Sequence, residues 1–82
     1  MRILLAEDEK RMAAALAALL EQEKYDVDHV PDGVSALAAL ESGVYDIAVL
    51  DVMMPELSGF EVARRARNRG IKTPILMLTA KS

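Results

Sequence analysis

The sequence contains no cysteine, and its net charge is −3. It therefore lacks the excess of basic residues that is expected of a nucleic-acid-binding segment. Without cysteine, neither a disulfide framework nor a thiolate metal site can form. No apolar run reaches the length of a membrane span, and the N-terminus has neither the basic start nor the cleavage pattern of a signal peptide. We therefore expect a cytoplasmic segment that contacts neither a membrane nor nucleic acid directly.

The residues that are present have the composition of one small globular domain. The chain has 82 residues, of which 52% are hydrophobic and 28% are charged, and this balance is too apolar for a disordered segment. It shows no internal repeat, low-complexity segment or linker, so a single packed unit is expected.

Short apolar runs alternate with helical patterns along the whole chain. Four runs are typical of buried strands in a parallel sheet, at residues 2–6, 25–30, 46–51 and 75–78. In the alanine-rich stretch that ends at Lys24, apolar residues recur at helical spacing, at Met12, Leu16, Leu19 and Leu20. The order βαβαβαβ predicts an α/β fold with helices on both faces of a doubly wound parallel sheet.

The second and third helices have recognisable start and stop residues. Asp32 and Ser58 are suited to cap the N-termini, and Gly43 and Gly70 are suited to end the helices. The apolar stripe of the second helix carries Val34, Leu37 and Leu40. In the third helix, which runs to about Asn68, Phe60, Ala63 and Ala66 are expected to face the core, with Arg64, Arg65, Arg67 and Arg69 outside.

Acidic side chains follow the predicted strands at one edge of this sheet, where functional groups of such folds gather. Glu7 and Asp8 follow the first strand, Asp51 closes the third, and Thr79 follows the fourth. Crowded carboxylates raise one another's proton affinity unless a cation intervenes, and hard oxygen ligands suit Mg²⁺. With a cation to neutralise an incoming phosphoryl group, one carboxylate could attack phosphorus and form an aspartyl phosphate. The convergence therefore predicts metal-assisted phosphoryl chemistry.

Three motifs resemble the receiver domains of bacterial response regulators. Residues 3–9, ILLAEDE, are similar to their hydrophobic first strand with its acidic pair. Residues 50–55, LDVMMP, together with Gly59, are similar to their phosphorylation loop, and residues 73–80, TPILMLTA, to their fourth strand. The motifs occur in the family's order and at its separations, and the resemblance covers the whole chain. It implies a flavodoxin-like fold with strand order 2-1-3-4.

The resemblance also implies a role for each site residue. Asp51 would accept a phosphoryl group from a sensor histidine kinase. Asp8 and Asp51 would bind Mg²⁺ directly, with the backbone carbonyl of Met53 as a third protein ligand, and Glu7 would act through metal-bound water. Thr79 would be the switch hydroxyl. The motifs are most similar to regulators with a winged-helix DNA-binding output domain, which would make the parent protein a transcription regulator.

The chain departs from the family in its length. Residues 1–82 correspond to the N-terminal two-thirds of a receiver, without the fifth strand, its lysine and the last helices; Lys81 does not match that lysine. We expect strand four to be an open edge that invites a homodimer or a domain-swapped assembly. Such a fragment could arise by cloning, by proteolysis or naturally. In each case, its phosphorylation switch is expected to be impaired.

Two other functions compete with a switch that modifies only itself. An aspartyl phosphohydrolase generally has a second acid two residues after its nucleophile, where this chain has Met53. A receiver-like interaction module without phosphate chemistry is the other alternative, although Glu7, Asp8, Asp51 and Thr79 are all retained. His29, the single histidine, is expected to be a surface residue far from the acidic edge rather than a ligand.

Overall fold

The computed structural model describes residues 1–78 of the chain. The seven elements are β1 (Arg2–Ala6), α1 (Lys10–Gln22), β2 (Asp26–Val30), α2 (Gly33–Glu41), β3 (Ile47–Asp51), α3 (Gly59–Asn68) and β4 (Ile75–Leu78). The order predicted from the sequence is confirmed, with element ends that differ by at most two residues. Thr79, Ala80 and Lys81 lie outside the described residues. Within residues 1–78, no helix combines the length and the apolar character needed to cross a bilayer.

The four strands form one parallel sheet in the order β2-β1-β3-β4, as predicted. Leu4 pairs with Ala48, which in turn pairs with Ile75, so these side chains share one face of the sheet. That face packs against α2 and α3 and forms the hydrophobic core, to which Leu40 and Val62 contribute from the two helices. The helix α1 contacts the opposite face beside β1 and β2.

The predicted helix caps are present. The side chains of Asp32 and Ser58 accept hydrogen bonds from the amide groups three residues later, at 2.7 Å and 3.1 Å. Gly43 and Gly70 have φ angles of 74° and 78°, in the left-handed region that ends many helices. These local signals therefore position α2 and α3 as the sequence predicted.

The prediction that Phe60 faces the core is wrong, because its side chain is 62% exposed. The buried side of α3 runs instead through Gly59, Val62 and Ala66. Since Gly59 packs against the backbone of Asp51, the next residue is rotated by about 100° around the helix and points outward. The three arginines of α3 and Arg69, which follows it, are exposed, as predicted.

Two other helices also expose part of their apolar pattern. In α1, Met12 and Leu19 are more than half exposed, and Ala13 is the one buried residue. In α2, Val34 is 52% exposed, whereas Leu37 and Leu40 are buried. Helical spacing identified both helices, but the buried side of α1 carries Ala13 rather than Met12 or Leu19.

Candidate functional site

Three carboxylates meet beyond the carboxyl ends of the two central strands. Glu7, Asp8 and Asp51 each offer an oxygen atom, and these atoms all lie within 4.8 Å of one another. The sheet register explains the meeting: Ala6 pairs with Leu50, so Glu7, just after β1, and Asp51, the last residue of β3, lie at the same level of the sheet. The structure thus brings together the three acids that the sequence placed at this edge.

Glu7 is the buried member of this acidic cluster, with a relative exposure of 2%. Its Oε2 atom accepts a hydrogen bond of 2.9 Å from the backbone amide of Glu9. Its own backbone amide donates to the carbonyl of Val30 on β2 at 3.1 Å. The Glu7 side chain is therefore held in place by the loop that follows it.

Burial raises the pKa of Glu7 above its ordinary value of 4.5, since a buried carboxylate loses hydration. The negative charges of Asp51 and Asp8 raise this pKa further, while the hydrogen bond from the Glu9 amide opposes the rise. Without a cation, Glu7 is therefore harder to ionise in the folded chain than in the unfolded chain. A bound cation would offset both the burial and the repulsion among the three acids.

Asp51 is half-buried at the end of β3, next to a loop that folds back on it. A long hydrogen bond of 3.4 Å joins the amide of Met53 to its Oδ1 atom. The Met53 side chain is 65% exposed and points away from the core. The loop is closed by a 2.9 Å hydrogen bond from the Gly59 amide to the Val52 carbonyl. The Asp51 carboxylate thus has lone pairs available for a ligand or a reaction.

The prediction that His29 lies far from the acidic edge is wrong. Its Nε2 atom lies 2.7 Å from the carbonyl oxygen of Glu7. His29 is opposite Leu5 in the sheet register, so its side chain lies two residues before Glu7 on the neighbouring strand. It is exposed, as expected. The register of β1 against β2 would have revealed this contact, but no signal in the sequence specifies that register.

The donor set of the acidic cluster consists of carboxylate oxygens, the ligands that Mg²⁺ prefers in proteins. One acid is buried, one is half-buried and one, Asp8, is exposed, so the cluster opens to solvent on one side. Residues at this position could hold a divalent cation and present a carboxylate to a phosphoryl donor. Thr79, the predicted switch hydroxyl, lies outside the described residues.

A doubly wound parallel sheet with acids beyond its central strands defines a flavodoxin-like receiver domain. The response regulator receiver domain family matches residues 3–82. The chain belongs to this family, whose members act in two-component signalling.

The curated relatives are transcriptional regulatory proteins that are much longer than this chain. TcrA of Mycobacterium tuberculosis is 52% identical over 80 residues, which make up 98% of this chain and 32% of TcrA. DltR of Streptococcus agalactiae is 48% identical over 82 residues, which make up 100% of this chain and 37% of DltR. The chain spans about a third of the length of these relatives.

Solved receiver domains have the same fold. The receiver domain of the Francisella response regulator 1452 matches with a TM-score of 0.93 and 33% identity, covering 96% of this chain and 65% of that one. The response regulator protein TrrA of Thermotoga maritima, solved in complex with Mg²⁺ and BeF, matches with a TM-score of 0.91 and 40% identity, covering 99% and 70%. These matches show the receiver fold independently of the sequence motifs.

Proposed function

We propose that this chain is a phosphorylation-dependent switch that accepts a phosphoryl group on Asp51 with the help of Mg²⁺. The observation that carries the proposal is the acidic cluster, in which oxygens of Glu7, Asp8 and Asp51 lie within 4.8 Å. TrrA, a relative by fold and sequence, was solved with Mg²⁺ and BeF, which supports a metal-dependent site in this chain too.

The roles of the three acids follow from their surroundings. Asp8 is exposed and Asp51 is half-buried, so both can turn an oxygen toward a cation and serve as direct ligands. Glu7 is buried and one of its oxygens already accepts the Glu9 amide, so it acts through a metal-bound water. The backbone carbonyl of Met53 is the proposed third protein ligand. Bound Mg²⁺ would supply charge neutralisation for the phosphoryl group.

The proposed reaction is a phosphoryl transfer between two side chains. An Asp51 carboxylate oxygen attacks phosphorus, the bond from phosphorus to the imidazole nitrogen of a kinase phosphohistidine breaks, and an acyl phosphate forms. The weak contact of Asp51 with its own loop, 3.4 Å to the Met53 amide, leaves the carboxylate free to attack. Thr79 then donates a hydrogen bond to a phosphoryl oxygen. No separate substrate is turned over, so the chain is not an enzyme in the ordinary sense.

The partners of the whole protein are part of the same proposal. A sensor histidine kinase supplies the phosphoryl group, and the transcriptional relatives support a DNA-binding output domain outside this segment. The segment itself is not expected to contact nucleic acid or a membrane, and its cytoplasmic location stays a prediction. That residues 1–82 form the N-terminal two-thirds of a receiver, with an impaired switch, also stays a prediction.

The outer strand of the described sheet supports a homodimer as a further part of the proposal. Within residues 1–78, β4 pairs with β3 on one side only. Leu76 on this strand is 56% exposed. An apolar edge strand with unpaired backbone groups favours pairing with a second copy.

The experiment that tests the phosphorylation is an intact-mass measurement. The chain is incubated with Mg²⁺ and a small acyl-phosphate donor, and circular dichroism establishes that the same sample is folded. We expect the mass of one added phosphoryl group, which is lost in Asp51→Asn and retained in the matched control Asp26→Asn, an exposed aspartate at the opposite end of the sheet. A folded sample without any mass gain would contradict the proposal for this chain.

A further inference from the structure

We infer that His29 is a positioning residue for the metal site, because its imidazole holds the peptide unit from which Asp8 extends. The inference rests on the proposed function, in which Asp8 is a direct Mg²⁺ ligand. It depends on a contact between β2 and the loop after β1 that joins His29 Nε2 to the Glu7 carbonyl oxygen at 2.7 Å.

The contact lies where the regular pairing between the two strands ends. The register of β1 with β2 ends at Ala6 and Val30, and Pro31 follows β2. The Glu7 amide still donates to the Val30 carbonyl. The His29 side chain supplies a donor for the Glu7 carbonyl, so both backbone polar groups of Glu7 are held by β2.

The direction of this hydrogen bond specifies the protonation of the ring. A carbonyl oxygen can only accept, so the hydrogen must be on Nε2 of His29. The ring therefore acts as a donor toward the backbone and does not use Nε2 as a metal ligand.

Planarity of the peptide bond transmits the restraint to the metal site. The Glu7 carbonyl, the Asp8 amide and the Cα atom of Asp8 belong to one planar unit. A hydrogen bond that fixes the carbonyl therefore also fixes the position of that Cα atom. The Asp8 side chain is exposed and accepts no hydrogen bond from the other described residues, 1–78. The His29 contact therefore restrains the direction in which an exposed ligand leaves the backbone, as partners outside the ligand shell do in other metal sites.

Two substitutions separate the hydrogen bond from general effects on the fold. His29→Val removes the donor and keeps a residue that suits a strand. The matched control is His29→Gln, whose side-chain amide retains an N–H donor. Mg²⁺ affinity is measured from the shifts of the Glu7, Asp8 and Glu9 amide resonances during titration, at a temperature well below the unfolding midpoint of each variant. Asp51→Asn is titrated in parallel.

We expect His29→Val to weaken Mg²⁺ binding by about tenfold, at the lower end of the range for outer partners of metal ligands, and His29→Gln to stay within about threefold of the wild type. A purely structural role would lower the unfolding midpoint and leave Mg²⁺ affinity unchanged. Equal affinity in the wild type and His29→Val, or equal losses in both variants, would overturn the inference and leave the proposed function standing. No Mg²⁺ binding by the wild type would overturn the proposed metal site and the inference with it.

A second measurement does not depend on how the variants fold. The ¹⁵N spectrum of the His29 ring in the wild type is expected to show the hydrogen on Nε2. A neutral ring that carries its hydrogen on Nδ1 alone would also overturn the inference, since such a ring cannot donate to the Glu7 carbonyl.

Discussion

Gly59, the first residue of α3, lies directly against the backbone of Asp51, the proposed phosphoacceptor. A β-carbon at position 59 would come within 2.4 Å of the Asp51 carbonyl oxygen and 3.0 Å of its carbonyl carbon. Both neighbouring atoms belong to the backbone, so neither can move without shifting the end of β3. Because Gly59 has no side chain, α3 can pack against the end of β3 without displacing Asp51 from the acidic cluster.

The first prediction concerns this contact. Gly59→Ala is expected to lower the free energy of unfolding by about 1–3 kcal/mol, the usual effect of overpacking a well-filled site. It is also expected to weaken Mg²⁺ binding, because relieving the clash changes the position of Asp51 relative to Glu7 and Asp8. Urea unfolding followed by circular dichroism and Mg²⁺ titration by amide resonance shifts would measure the two effects.

Gly70→Ala is the matched control for Gly59→Ala. A β-carbon at Gly70 would meet nothing within 4 Å, but its φ angle of 78° makes a side chain unfavourable. We expect a loss of about 1 kcal/mol in the free energy of unfolding and no change in Mg²⁺ affinity. Similar losses of Mg²⁺ affinity in the two variants would show that the close approach to Asp51 is not the cause.

The second prediction follows from the raised pKa of Glu7. Below its ordinary value of 4.5, the carboxyl is protonated in both the folded and unfolded chain. As pH rises, the unfolded chain releases this proton first, so the free energy of unfolding falls until the pH passes the folded-state pKa. Glu7→Gln cannot ionise. In Mg²⁺-free buffer this variant is expected to be more stable than the wild type at neutral pH, with a difference that shrinks toward acidic pH.

Urea unfolding across this pH range, with a chelator present, measures the difference. Glu23→Gln, at an exposed position after α1, is the control and is expected to stay close to the wild type at every pH. A constant difference between Glu7→Gln and the wild type from acidic to neutral pH would contradict the role assigned to Glu7 ionisation.

The third prediction concerns Asp8→Asn, whose effect on stability is expected to differ with and without Mg²⁺. Without Mg²⁺, Asp8→Asn removes a charge that repels Glu7 and is expected to leave the protein equally or more stable. With Mg²⁺, the variant is expected to gain less stability than the wild type, by about 1.4 kcal/mol for each tenfold loss of affinity at high metal concentration. Thermal unfolding at a series of Mg²⁺ concentrations provides both comparisons. An equal gain in the two proteins would exclude Asp8 as a ligand.

The fourth prediction concerns the outer edge of the described sheet. Leu76→Lys places a charge on β4 and is expected to shift the chain from dimer to monomer, because charged side chains protect edge strands from pairing. Sedimentation velocity at several protein concentrations measures the shift. Leu19→Lys is the control, since Leu19 is 59% exposed on α1, away from that strand. A wild type that is monomeric throughout, or equal effects of both substitutions, would refute association through this edge.

Much of this architecture follows from local patterns in the sequence. Helical and strand periodicity predicted the seven elements, and Asp32 and Ser58 predicted the starts of two helices through hydrogen bonds that span three residues. The meeting of Glu7 with Asp51 was also predictable. Parallel strands joined by helices bring their carboxyl ends to one edge, whatever the packing in between.

Tertiary structure alone decided the finer arrangement of the site. The position of His29 beside Glu7 depends on the register of β1 with β2, which is set by packing between segments distant in the sequence. The outward direction of Phe60 depends on how closely Gly59 can approach Asp51, a distance that spacing within α3 cannot specify. Periodicity identifies an element, but the register and rotation of that element are determined by the shapes of its neighbours.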